Sequence, residues 1–230
     1  MACPSAAQLS SLELLGFGDC GWGAALLWGL GNSITIALGA YVLGFGIGVM
    51  GAFGKLYGGP ITRDLAGVYT TLVRAVPELV LILILYFAVT DAVNQLLVFN
   101  GYARIQLSGV AAGIAVLGIV QGAYSTEVLR GAIQSVPAGQ IEAARAMGMP
   151  PLLLARRVTL PLMTAAAVPG LANLWLTCTK DTALLAVVGF IELTKATSLA
   201  AGTTKAFLTF YLAAGVLYLT QKSRQVANNC

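Results

Sequence analysis

Residues 142–161 read EAARAMGMPPLLLARRVTLP, and four of these twenty, Glu142, Arg145, Arg156 and Arg157, are charged in a chain where charged residues make up only 10%. Ser135 and Pro137 lead into an Ala-rich run over 138–147, and proline is well tolerated at a helix start. Gly148 stops that run and Pro150-Pro151 bars its resumption, so the stretch predicts a short helix, a turn and a second short helix over 152–158. A long uncharged segment follows directly. A charged helix–turn–helix set against apolar sequence belongs at a membrane surface.

Composition places the whole chain in that setting. Its 230 residues are 58% hydrophobic with a mean hydropathy of +0.84, whereas soluble domains carry about a quarter charged residues. Uncharged runs of about twenty residues cross a ~30 Å hydrocarbon core as helices. Their lack of alternation excludes a barrel. Five spans are predicted, within 22–53 and at 65–89, 107–129, 162–179 and 206–220. Between them, 91–106 reads as a polar connection, and 180–205 is mixed: 183–191 is apolar but too short to span, and 202–205 is turn-like. The first twenty residues, MACPSAAQLSSLELLGFGDC, have no Lys or Arg ahead of their apolar content, so they read as an outer, amphipathic lead-in rather than a secretory signal.

The 13 Lys and Arg against 9 Asp and Glu fit the positive-inside bias of membrane loops, not nucleic-acid binding. With the N-terminus outside and the C-terminus inside, Lys55, Arg63, Arg74, Arg130, Arg145, Arg156, Arg157, Lys222 and Arg224 fall in the cytoplasm. Arg104, Lys180, Lys195 and Lys205 fall outside. This orientation puts 135–161 on the cytoplasmic side.

Several chemistries are excluded. The chain has no histidine, which removes Ser-His-Asp and Cys-His catalysis. Cys3, Cys20, Cys178 and Cys230 are scattered and read as incidental thiols, so no catalytic residue, metal or cofactor is expected. Gly46-Ile47-Gly48-Val49-Met50-Gly51 matches a dinucleotide fingerprint but lacks the strand and soluble helix that pattern needs. Ala40, Gly44, Gly48 and Ala52 instead form a small-residue ridge for close helix packing. The one Gly-Lys pair, Gly54-Lys55, is followed by Leu56, with Val49 where a P-loop begins. The chain carries no nucleotide-hydrolysing motif.

Ionisable residues inside spans mark functional candidates. Glu78 follows Pro77, which should kink its helix, and stands one turn from Arg74. It reads equally as a carboxylate for a guanidinium or ammonium group and as the partner of Arg74, which is expected to snorkel from the cytosolic end of the span. Asp181 beside Lys180 is a weaker candidate, and Glu127 faces Arg130 three residues on. Asn173, Trp175 and Thr177 can line a path. In the charged stretch, Ala143, Ala144, Ala146 and Met147 offer a compact surface for a partner to grip, with Glu142 and Arg145 adding directional charge. A solvated connector is the equal alternative.

The pattern Glu142-Ala143-Ala144, Gly148, then Val158-Thr159-Leu160-Pro161 resembles the EAA loop of ABC importer permeases, with Val158 in the usual Ile place. YTTLVRAVPELV at 69–80, EVLRGAI at 127–133, VPAGQ at 136–140 and KDTAL at 180–184 are similar to the polar amino-acid permeases. KATSLA at 195–200 and the acidic residue after Pro77 resemble the subgroup importing histidine, lysine, arginine and ornithine, near the opine importers. The resemblance implies an all-α integral membrane protein of the type I ABC importer (MetI-like) permease fold. It would be a single transmembrane permease domain over 1–230 in a bacterial inner membrane. Its loop 135–161 would be the coupling helix for a separate ATP-binding subunit. A second permease, paralogue or self, and a periplasmic substrate-binding protein complete the implied assembly. In the resembled family the last span runs longer, whereas here the tail from Gln221 to Cys230 follows a short one. The rival reading, a secondary transporter or channel, needs inverted repeats or a row of intramembrane ionisable groups, and neither is read.

Overall fold

The computed structural model describes residues 11–18, 21–104 and 109–227. Cys3, Cys20, Cys230, most of the amphipathic lead-in and Leu107 at the start of the third predicted span lie outside the described residues. Among those described there is no strand. The helices are α1 (Ser11–Leu14), α2 (Gly23–Tyr57), α3 (Pro60–Ala75), α4 (Glu78–Phe99), α5 (Gly109–Gln134), α6 (Ala138–Ala146), α7 (Pro151–Leu154), α8 (Leu160–Asp181), α9 (Leu193–Thr204) and α10 (Phe207–Ala227). A π segment, Ala155–Thr159, joins α7 to α8, and a 3-10 helix, Thr182–Ala186, follows α8.

Among the described residues, four stretches are long and apolar enough to cross a membrane: α2, α4, α5 and the continuous helix Pro151–Ala186. Phe207–Gln221 is apolar but shorter. Several boundaries differ from the sequence reading, each for a local reason. The predicted second span is two helices, because Val76 is extended at φ −88 and ψ 138, the conformation a following proline imposes. α4 then runs through most of the predicted polar connection. Within it, Gln95 Nε2 donates to Asp91 Oδ2 at 2.7 Å. The mixed region contains α9, and the turn expected at 202–205 contracts to Lys205, which caps α9 at φ 61. α10 continues to Ala227, beyond the predicted end at 220.

The chain divides into two compact units: 1–38, 90–113 and 179–230, and 39–89 and 114–178. The second is built on α5. In lipid, apolar surface gives helices little reason to associate, so close backbone approach must supply the attraction. α2 and α5 achieve it with glycine. A Cβ at Gly44 would stand 2.8 Å from Gln121 Cβ, at Gly48 2.4 Å from Ser125 Cβ, and at Gly51 2.3 Å from Thr126 Oγ1. From the other side, a Cβ at Gly118 would meet Leu43 and one at Gly122 would meet Ile47, each at 2.6 Å. Ala40 and Ala52, the outer members of the ridge, are buried. α8 joins this contact through Ala167 and Met163 against Ala52, Leu129 and Ala132. α3 and α4 pack on α5 through Val73, Leu81 and Leu85 against Val120 and Ala123.

Near the end of α2, Lys55 Nζ lies 2.5 Å from Glu127 Oε1 and also donates to Thr70, while Arg130 holds Glu127 Oε2 through Nε at 3.0 Å and Nη2 at 2.7 Å. Glu127 does pair with Arg130 as its spacing suggested, but it also ties α5 to α2. Both partners of the Lys55 pair are largely buried. Removing one member of such a pair leaves an uncompensated charge, a loss of about 3–5 kcal/mol in soluble proteins.

The first unit is held by a residue that the sequence reading passed over. Glu192 is 0% exposed and caps α9, accepting from Thr194 N–H at 2.9 Å and Lys195 N–H at 2.7 Å. Ser33 Oγ on α2 and Tyr218 Oη on α10 donate to the same carboxylate at 3.2 and 3.3 Å. Burial pushes this carboxyl above the usual carboxylate range, and its hydrogen-bond donors draw it back. Gly29 makes the approach possible, since a Cβ there would lie 3.0 Å from the Glu192 carbonyl. Leu14, Leu26, Leu193 and Phe210 close the core around it.

The ridge makes a paired prediction. Gly48→Ala should lower thermal stability in detergent, at a cost of about 1–3 kcal/mol from overpacking. Gly46→Ala should be neutral or stabilising, because a Cβ there meets nothing within 4 Å. Equal melting temperatures for the two variants would contradict the ridge.

Candidate coupling surface and substrate path

The short helix of the charged stretch ends as its glycine requires. Gly148 has φ +76, a left-handed conformation costly for residues with a Cβ. Its N–H donates to Arg145 O at 2.9 Å and that of Met149 to Ala144 O at 3.1 Å. These are the two bonds of a Schellman closure. α6 also packs against α7 and the π segment. The loop is therefore a braced element rather than a loose connector.

The four small residues proposed as one surface divide. Ala144 points inward at 4% exposure, while Glu142, Ala143, Arg145 and Ala146 face outward. Met147 at 77% and Leu152 at 83% are the most exposed apolar residues of this stretch. The outward face is thus Glu142, Ala143, Ala146 and Met147, with Leu152 beside it.

Leu160 and Pro161 do not end a helix, as expected, but begin α8 in continuous helix. Pro161 has no N–H and its ring crowds the preceding turn. That turn is widened: the N–H of Leu160 reaches Ala155 O, five residues back. Beneath the loop is a cavity of about 530 Å³ lined by Phe53 and Tyr57 of α2, Ile141 and Arg145 of α6, and Ala155 and Thr159 of the π segment.

In the candidate path, the break at Val76-Pro77 separates Arg74 from Glu78, and no ion pair joins them among the described residues. Arg74 lies over the Tyr124 ring, 5.9 Å from its centroid. It stands in the last turn of α3, one turn beyond Thr70, which accepts from Lys55 Nζ. Glu78 is half-buried at the first turn of α4 and has no ion-pair partner among the described residues. Asn173 is exposed on α8, and Trp175 meets Tyr41 edge-on at 5.2 Å. Arg74, Glu78 and Asn173 belong to the second unit. Asp181, the last residue of α8, belongs to the first, so the four candidates are not one cluster within either unit.

Two buried polar residues of α5 escaped the sequence reading. Gln121 donates to Leu174 O at 3.0 Å, pinning α8 to α5. Thr126 returns its hydroxyl to Gly122 O at 2.8 Å. Their signal was available: a glutamine in the middle of an apolar run is costly unless it bonds across helices.

Residues 44–220 match the family described as binding-protein-dependent transport system inner membrane component. The nopaline transport system permease protein of Agrobacterium fabrum is 40% identical over 216 residues, 92% of this chain and 91% of its own length. The histidine/lysine/arginine/ornithine transport system permease protein of Escherichia coli is 38% identical over 199 residues, 86% and 87% of the two chains. Among solved structures, a chain of an amino acid ABC transporter crystallised with histidines has the same fold, with a TM-score of 0.79, 24% identity and coverage of 96% and 95%. The chain belongs to the binding-protein-dependent transport system inner membrane component family and is a multi-pass permease subunit of an ABC importer, a transport subunit rather than an enzyme.

Proposed function

We propose that this permease carries a basic amino acid or a related opine, and that α6 and its Schellman turn form the surface through which a separate ATP-binding subunit drives it. The observation that carries the reading is the exposed, braced face Glu142, Ala143, Ala146 and Met147. A helix bundle without a nucleotide site needs a rigid external element to receive force, and this is the stretch so built. The whole chain then acts as one permease domain, with 135–161 as its coupling loop and Phe207–Gln221 as a fifth span. A second permease and a periplasmic substrate-binding protein complete the assembly.

Orientation follows from charge. Lys55, Arg63 and Arg130 line one cavity of the second unit, and Arg145 lines another that also touches the end of α2. Basic residues so gathered favour the cytoplasmic side. The N-terminus is then periplasmic and the C-terminus cytoplasmic.

For the substrate, support comes from relatives whose names specify nopaline, octopine, or histidine, lysine, arginine and ornithine. Glu78 supplies matching chemistry: an acidic group at a helix break, released from Arg74 and able to meet a cationic head. Arg74 lies over the Tyr124 ring and makes no ion pair with that carboxylate.

Glu78→Gln should reduce uptake of basic substrates into proteoliposomes by about ten-fold or more, the scale of one charge-assisted hydrogen bond. Unchanged transport of arginine, lysine, histidine and the opines would sink the role given to Glu78. For the coupling loop, Gly148→Asp should insert in the membrane yet lose substrate-stimulated ATP hydrolysis, because a side chain at φ +76 distorts the turn. A variant that assembles with the ATPase and transports normally would refute docking through α6.

A further inference from the structure

We propose that the cavity at the Lys55 end of the second unit binds the phosphate headgroup of an anionic phospholipid. The cavity has a volume of about 720 Å³, and its polar wall is Lys55 of α2, Arg63 and Asp64 of α3, and Arg130 and Gln134 of α5. Lys55 and Arg130 share the single carboxylate of Glu127, so that cluster keeps one positive charge in excess. Arg63 makes no ion pair among the described residues. Asp64 lines the same cavity, so three cations, Lys55, Arg63 and Arg130, stand with two carboxylates, Asp64 and Glu127, and one positive charge remains in excess. The wall therefore offers an anion a net positive lining in which Arg63 is held in no ion pair among the described residues.

The rest of the lining is largely apolar. Leu56, Val68 and Leu72 belong to it, and exposed Ile61, Leu65, Val68 and Leu72 run as one strip along α3. Their spacing of four, three and four residues keeps them on one helix face. Val68 and Leu72 belong to both the cavity and the strip, so the apolar track is continuous with the cavity. A free phosphate would use only half of this surface. A phospholipid uses both, its head among the cations and its acyl chains along α3, and basic pockets between membrane helices are a recurrent headgroup site. The choice of the cytoplasmic leaflet rests on the orientation proposed above; the site itself does not.

The full-length chain, purified in neutral detergent, is to be titrated with phosphatidylglycerol and, separately, phosphatidylcholine, with retained lipid read by native mass spectrometry. Two variants test the lining. Arg63→Gln removes the unpaired cation. Gly67→Leu fills the cavity without changing charge, since Gly67 lines it and a Cβ there meets nothing within 4 Å. Phosphatidylglycerol should be retained in preference to phosphatidylcholine, and each variant should weaken it about five-fold, the effect of one basic residue near a lipid surface. Equal retention of both lipids, or unchanged phosphatidylglycerol binding in either variant, would overturn the site. Displacement by millimolar inorganic phosphate would make it a free-anion site and overturn the lipid assignment. Gly148→Asp should leave retention intact, so a failure of ATPase docking and a failure of lipid binding are separate results.

Discussion

The contact on which the second unit depends is the close approach of α2 and α5. Each helix offers glycine where the other offers a side chain: Gly44, Gly48 and Gly51 receive Gln121, Ser125 and Thr126, while Gly118 and Gly122 receive Leu43 and Ile47. In a bilayer this interdigitation supplies dispersion that apolar burial cannot, because lipid tails are as apolar as leucine. It also sets the register. With the two backbones locked, Lys55 on α2 comes within reach of Glu127 on α5, and a pair that would be costly alone becomes the clamp at that end of the helices. α3, α4 and α8 then pack on α5.

Rigidity at the loop has a separate origin. α6 is only nine residues long, too short to persist by itself in water. Its end is closed by two backbone hydrogen bonds around Gly148, and its inner side is held by Ala144. The widened π turn before Pro161 lets the chain pass from this loop into α8 as unbroken helix. Force applied to α6 therefore enters α8 through packed structure, and α8 is bonded to α5 at Gln121. These links give a push at the loop a physical route into the bundle.

Much of this was legible in the sequence because the signals were local. The glycine ridge and the stop at Gly148 each follow from conformational rules that need no partner. The family pattern around Glu142 was equally plain, with long and specific spacing. What escaped reading depended on distant pairings. Lys55 looked like one more positive-inside charge, and only the fold reveals that it meets a residue 72 positions away. Glu192 stood in a region of mixed character, yet Ser33 and Tyr218 make it a hub. Arg74 and Glu78 were four apart on a helix that the structure breaks between them. Ala144 could not be told from Ala143 until the π segment defined an inner face.

Docking of α6 is tested most directly by cross-linking. Ala143 is exposed and Ala144 buried on the same short helix, so Ala143→Cys should form an adduct with a cysteine in the groove of a co-expressed ATP-binding subunit, and Ala144→Cys should not. Adducts of equal yield from both positions, or none from Ala143→Cys in a complex that still transports, would contradict this chain being driven through that helix.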